Sequence, residues 1–148
     1  MPGETAAQSE PHLTIESRLE DLALLWPWAE SIADIHGLPA ATRFAIHLCL
    51  EEAISNVIRH GYRGELGRPV TVQFASQPDE LVFTVEDEAP AFDPLDESRE
   101  DQAPDASATD QIPLGGQGIR LLRKFAGSLV YQGLPTGNRL TMRFPIQR

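Results

Sequence analysis

Apolar residues recur along this chain with two different periods. His12-Leu13-Thr14-Ile15-Glu16 alternates, and predicts a short strand at a sheet edge. From Ser17 the period lengthens: Leu19, Leu22, Leu25 or Trp26, Ala29, Ile32 or Ala33, and Ile35 recur at helical spacing. Pro27 falls inside this stretch and should kink the helix or split it in two, because it lacks an N–H and crowds the preceding turn. Gly37 then suits a C-terminal cap, and Pro39 an early position in the next helix. That second helix is predicted from about Pro39 to His60, with its strongest apolar line through Ile46, Leu50, Ala53 and Val57. It is apolar almost all round, which implies cover on more than one side.

Alternation returns in Val70-Thr71-Val72-Gln73-Phe74 and Leu81-Val82-Phe83-Thr84-Val85, joined near Pro78-Asp79. It returns again from Ser128 to Gln132 and from Arg139 to Phe144, joined by a Pro135-Thr136-Gly137-Asn138 turn. Between the two pairs, residues 88–114 are rich in Pro, Asp, Ala and Ser and have no period. A connection that long inside a compact domain is usually disordered or a functional lid. Gly115-Gly116-Gln117-Gly118 then leads into a helical stretch from Ile119 to Phe125. This order predicts an α+β fold, with helices layered on one face of a largely antiparallel sheet. The expected organisation is a loose tail over residues 1–10 and one domain over 11–148.

Charge narrows the choice of partner. Net charge is -10, and residues 79 to 110 hold twelve acids against the single base Arg99, so the remainder is close to neutral. No basic face suggests nucleic acid; an acidic surface favours a basic protein or a metal-masked ligand. Cys49 is the one cysteine and sits on the apolar side of the second helix, where a small hydrophobe is expected rather than a catalytic thiol. One cysteine also excludes a disulfide within the chain and is consistent with a reducing compartment. No long apolar run predicts a membrane span, and the polar first ten residues lack a signal-peptide core, so a cytoplasmic protein is expected.

Three clusters could carry chemistry. Glu52 and Asn56 lie four residues apart, hence on one flank of the second helix. An amide oxygen can bind Mg²⁺ beside phosphates, and a carboxylate one turn away can take a proton from a hydroxyl. The same pair could equally be a solvated or capping pair. Asp87 ends a strand and precedes Glu88-Ala89-Pro90-Ala91-Phe92-Asp93-Pro94; a strand-end Asp is also a common turn former. The 115–118 glycines precede a predicted helix and either let backbone approach a phosphate or only cap that helix. They form neither a Walker loop nor a dinucleotide fingerprint. His12, His36 and His47 show no metal-ligand spacing.

In this order, the clusters resemble the GHKL (histidine kinase-like) ATPase superfamily, and more narrowly the anti-sigma-factor serine/threonine kinases. Glu52-Ala53-Ile54-Ser55-Asn56 with His60-Gly61-Tyr62 resembles the family's N box, Asp87 through Pro94 its first glycine box, and Gly115 through Leu122 its second. The resemblance implies the two-layer α/β sandwich of the Bergerat type, with ATP and Mg²⁺ as cofactors. It implies Asn56 as the Mg²⁺ ligand, Glu52 as the base that activates a substrate Ser or Thr, and Asp87 on the adenine amino group. His60, Ala89, Phe92, Gly115, Gly116, Gly118 and Thr141 are the other implied nucleotide-binding positions, under a lid at about 95–114. The implied partners are a STAS-type anti-sigma-factor antagonist, a sigma factor, or both, with a homodimer common among such proteins. The sequence departs from the family at Ala89, where Gly is usual and a methyl would meet the purine, and at Gly127-Ser128, where an acidic pair is frequent. Ala89 and the acidic lid motivate a second expectation: a non-catalytic protein-binding switch with weak or no nucleotide turnover.

Overall fold

A computed structural model describes residues 11–95 and 122–146. Among these, five antiparallel strands form one sheet in the order β1-β2-β3-β5-β4. They are β1 (His12–Glu16), β2 (Pro69–Gln77), β3 (Glu80–Asp87), β4 (Ser128–Leu134) and β5 (Gly137–Pro145). All five predicted strands are present, the last four longer than the alternation alone marked out. β1 stands at an edge, as expected, and β4 at the other.

The alternation decides which face is buried. Across the middle of the sheet, Val72, Val85 and Leu140 stand in one row and Phe74, Phe83 and Met142 in the next. All six are buried under the helices. The intervening rows, such as Gln73, Thr84 and Thr141, lie on the opposite, more polar face. There, Glu86 pairs with Arg139 and Glu80 with Arg143, each at 2.6 Å.

Two helices cover the apolar face. The Pro27 disruption takes the form of a split: a 3₁₀ segment over Leu19–Leu24, then α1 (Leu25–His36). Pro27 thus lies in the first turn of α1, where backbone N–H groups lack intrahelical acceptors in any case. Gly37 caps α1 at φ 60° and ψ 41°, a left-handed conformation that costs glycine nothing. α2 (Ala40–Asn56) begins after Pro39, which is its N-cap. Arg43 fastens it to α1, donating to Glu30 and Asp34 at 2.6 Å and to the Leu38 carbonyl at 2.8 Å. His47 is buried, stacks on Trp26 at 4.0 Å and meets Glu30 through Nε2 at 3.0 Å, a structural histidine as expected. Cys49 is fully buried, and desolvation, helped by the nearby Glu52 charge, pushes its thiol up to about 12.

Where the sequence predicted α-helix to His60, the α geometry stops at Asn56. One π turn, Val57–Gly61, follows, with the Tyr62 N–H donating to the Val57 carbonyl at 2.7 Å. No helix among the described residues is long and apolar enough to cross a membrane.

Candidate nucleotide site

α2 carries its polar pair into the protein. Glu52 is 7% exposed and Asn56 3%, despite the cost of burying such groups. Glu52 Oε1 and Asn56 Nδ2 are buried with no hydrogen-bond partner among the described residues. A buried polar atom left unpaired costs about 1–3 kcal/mol, so two within one helical turn mark a place where a ligand would complete the bonding. Burial raises the Glu52 pKa; the Glu51 carboxylate raises it further and Arg59 partly opposes this. The carboxyl is therefore held closer to the range in which it can accept a proton in catalysis.

Ala53 and Val57, each next in sequence to one of this pair, line a narrow apolar pocket. Val85, Leu140, Phe92, Pro94 and Tyr131 supply most of its remaining wall, and Asp87 and Asn138 its polar end. Asp87 is buried at the end of β3, and desolvation raises its pKa against two hydrogen bonds that favour the anion. Both arrive at Oδ1: from the Ala89 N–H at 2.8 Å and from Asn138 Nδ2 at 2.8 Å. The pocket so presents a carboxylate acceptor at the end of an apolar slot. A flat ligand with an N–H donor on its edge fits that chemistry.

The loop after Asp87 is held from two sides. Tyr62, carried by the π turn, donates its O–H to the Pro69 carbonyl at 2.6 Å and accepts the Glu88 N–H at 2.7 Å. From β5, Asn138 Oδ1 accepts the Phe92 N–H at 2.9 Å. Gly137 must be glycine: its φ is 147°, and a Cβ there would overlap the carbonyl oxygen of Asp87. His60 is exposed and its ring stacks on Phe92 at 6.2 Å. His60, Asp87, Ala89 and Phe92 thus come together around the π turn and the β3 exit, and Glu52 and Asn56 stand on the last turns of α2, next in sequence to the pocket residues Ala53 and Val57.

Two expectations need correction. Ala89 does not put a methyl on the wall of the Asp87 pocket. Its φ is negative, and its Cβ lies 3.3 Å from where a Cβ of Gly61 would stand, on the side of the π turn. Thr141 is not brought to the pocket. It alternates on β5 with the buried Leu140 and Met142, so it faces the opposite side of the sheet, opposite Thr84 and Val130. The residue of β5 that reaches the site is Asn138, three positions earlier. Nothing but its place in a turn distinguished it in the sequence; Tyr131, inside a predicted strand, was likewise missed, and Tyr62 was marked only as part of the N-box resemblance. Gly115, Gly116, Gly118 and residues 96–114 of the expected lid lie outside the described residues. At that segment's borders, Arg123 donates to the Leu95 carbonyl at 2.9 Å.

No cluster of three or more His, Cys, Asp or Glu among the described residues could hold a metal ion by itself. Mg²⁺ needs no such cluster. It keeps several waters and binds through one or two protein groups plus substrate phosphates. Within Asn56 the oxygen Oδ1 is the atom of the right chemistry for that role, while the unpaired Nδ2 is a donor suited to an anionic oxygen beside it.

Comparison with known proteins agrees with this geometry. Residues 15–144 match the family described as the histidine kinase-like ATPase domain. A serine/threonine-protein kinase, BtrW, of Bordetella bronchiseptica is 31% identical over 117 residues, covering 78% of this chain and 79% of that one. An anti-sigma F factor of Clostridium perfringens is 29% identical over 99 residues, 66% of this chain and 69% of that one. The serine-protein kinase RsbW of Bacillus subtilis is 29% identical over 79 residues, 52% and 49% of the two chains. Among solved structures, the histidine kinase domain of a blue-light activated kinase from Erythrobacter litoralis superposes with a TM-score of 0.52 at 20% identity. That match covers 84% of this chain and 60% of the other, and bears on the fold alone.

Proposed function

The chain belongs to the histidine kinase-like (GHKL) ATPase family, in its anti-sigma-factor kinase branch, and from that premise we propose that it is an ATP-dependent serine/threonine protein kinase and anti-sigma regulator. Its substrate in this reading is a Ser or Thr on an anti-sigma-factor antagonist of the STAS type, its alternative partner a sigma factor. The observation that carries the reading is the buried Glu52/Asn56 pair, each with an unpaired polar atom, one residue from the walls of the Asp87 pocket.

The residues divide the work by their chemistry. Asp87 accepts a hydrogen bond from the amino group of the base, and Val57, Val85, Phe92 and Leu140 enclose the ring. Asn56 would hold Mg²⁺ through its amide oxygen, and the cation would supply positive charge to offset that of the phosphate oxygens. Glu52 accepts the hydroxyl proton of the substrate side chain as that oxygen bonds to the γ-phosphorus and the bond to the bridging oxygen of the β-phosphate breaks, releasing ADP; burial and Glu51 hold its pKa up. Water exclusion by the apolar wall strengthens each of these interactions. Of the two motives for the non-catalytic alternative, Ala89 is weakened because its Cβ packs toward Gly61, and the acidic lid lies outside the described residues.

The test is transfer of a labelled γ-phosphoryl group to a cognate antagonist domain. Wild type should phosphorylate it, and Glu52→Gln should be slower by about 10²-fold or more, the ordinary scale of a general base. Equal rates in the two proteins would remove Glu52 from this role. Calorimetry that detects no Mg-ATP binding to wild type would reject the kinase reading itself.

A further inference from the structure

Asn138 is the most fully bonded polar side chain around the pocket, and none of the roles above includes it. It is 3% exposed at the start of β5, beside the obligatory glycine. Its Oδ1 accepts from the Phe92 N–H at 2.9 Å and from the Tyr131 O–H at 2.5 Å. Its Nδ2 donates to Asp87 Oδ1 at 2.8 Å and to the carbonyls of Ala89 and Pro90 at 3.2 Å. The partners decide the amide's orientation. A backbone N–H can only donate, and a carboxylate and two carbonyls can only accept, so a flipped amide would place like against like at four contacts. One side chain thereby ties three positions of the 87–92 loop, the β3 carboxylate and the edge strand β4 to a single geometry.

The consequence falls on Asp87. Both of its hydrogen bonds from the described residues enter at Oδ1, which sets the rotation of the carboxylate and leaves Oδ2 for a ligand. We propose that Asn138 is a positioning residue for base recognition: from β5 it holds Asp87 so that Oδ2 meets the amino group of an adenine, with Tyr131 supporting it from β4. This rests on the kinase reading, in which the pocket takes the base of ATP. An oxo group in the same place, as in guanine, would face a fixed acceptor and be rejected. Without Asn138 the carboxylate can rotate and the loop carbonyls lose their donor, so the discrimination should fade faster than the fold.

Three variants test it. Asn138→Ala removes both halves of the amide, Asn138→Asp replaces the donor by an acceptor facing Asp87, and Tyr131→Phe removes only the supporting hydroxyl. Each is measured by calorimetry against Mg-ATP and Mg-GTP, and by NMR titration of the Asp87 carboxyl in the ligand-free protein. For Asn138→Ala and Asn138→Asp we expect ATP affinity to fall about tenfold or more and the ATP-to-GTP ratio to approach one. The Asp87 carboxyl should titrate at higher pH, because a donor to the anion is gone. Tyr131→Phe should show the same changes, smaller, and keeps the test available if the Asn138 variants do not fold. A folded Asn138→Ala, or failing it Tyr131→Phe, that keeps both the wild-type ATP-to-GTP ratio and the wild-type Asp87 titration would overturn the proposal while leaving the kinase reading intact. Absence of nucleotide binding by wild type would reject that reading and this proposal together.

Discussion

Glu52 is a carboxyl placed where ionising costs stability, which gives it two measurable signatures. Its folded pKa is raised, chiefly by burial and then by Glu51, so the folded protein binds this proton more tightly than the unfolded chain does. The penalty is therefore present above the folded pKa and disappears as pH falls through it towards the unfolded value. Glu52→Gln should stabilise the protein at neutral pH by on the order of 1 kcal/mol, a few degrees in melting temperature, with the gain shrinking on acidification. Phosphoryl transfer by wild type should run the other way, falling as acid protonates the base, with its limb above the ordinary Glu range near about 4.3. Thermal melts and rates across one pH series would reveal both; a Gln variant less stable than wild type at neutral pH would contradict the first. A second residue-scale test concerns Ala89. Gly61 has an ordinary φ, so space alone bears on a side chain there: a Cβ would sit in a tight contact 3.3 Å from the Ala89 Cβ and an ordinary one 3.5 Å from Phe92 Cδ2. Gly61→Ala should crowd Ala89 and cost on the order of 1 kcal/mol or less. Adding Ala89→Gly should recover part of it, with a coupling of about 0.5 kcal/mol or more in a double-mutant cycle; strict additivity would mean that the two do not touch.

Between elements, the π turn that ends α2 matters more than its five residues suggest. It re-aims the chain so that Tyr62 enters the protein and bonds the start of β2 and the loop after β3 at once. Tyr62→Phe keeps the ring but strands the Pro69 carbonyl and the Glu88 N–H, and should cost about 1–3 kcal/mol in urea unfolding. It should also weaken nucleotide binding, because the same loop follows directly on Asp87 and its Ala89 N–H bonds that carboxylate; unchanged stability would show that water replaces the hydroxyl. This turn was not legible in the sequence. Val57 and Ile58 are apolar and continue the helical pattern, so periodicity cannot tell a five-residue turn from a four-residue one. The strands were legible because each has one face on the helices, which forces alternation. Glu52 and Asn56 were legible as a pair because helical spacing is local. Asn138 was not, since its meaning depends on the β3–β5 register, which places it opposite Asp87 from 51 residues away. The same register corrects Thr141, whose position on β5 assigns it to the opposite face of the sheet whatever its chemistry.

At the scale of the whole molecule, the pocket is a seam. α2, the π turn, β3, the loop that follows it, β4 and β5 each contribute a wall residue: Ala53, Val57, Val85, Phe92, Tyr131 and Leu140. Helix layer and sheet can unfold only by taking the pocket apart, so a ligand bound there is linked to the stability of the fold rather than to one loop. A ligand at 100 times its dissociation constant adds about 2.7 kcal/mol, and a domain of this size then melts several degrees higher. The two ends of the site can be separated by the same measurement. Mg-ATP should raise the melting temperature of wild type most, and ATP with a chelator should raise it less, because the Mg²⁺ contribution is lost while the base contribution remains. Asn56→Ala should reduce the Mg-ATP shift to the size seen with chelator and make it insensitive to Mg²⁺. Asp87→Ala should abolish the shift in both conditions, since without the base contact the slot has no polar anchor. If Asn56→Ala instead keeps a full Mg²⁺-dependent shift, the amide oxygen is not the cation's ligand, and the unpaired nitrogen alone, as a donor to an anionic oxygen, is left to explain the buried amide.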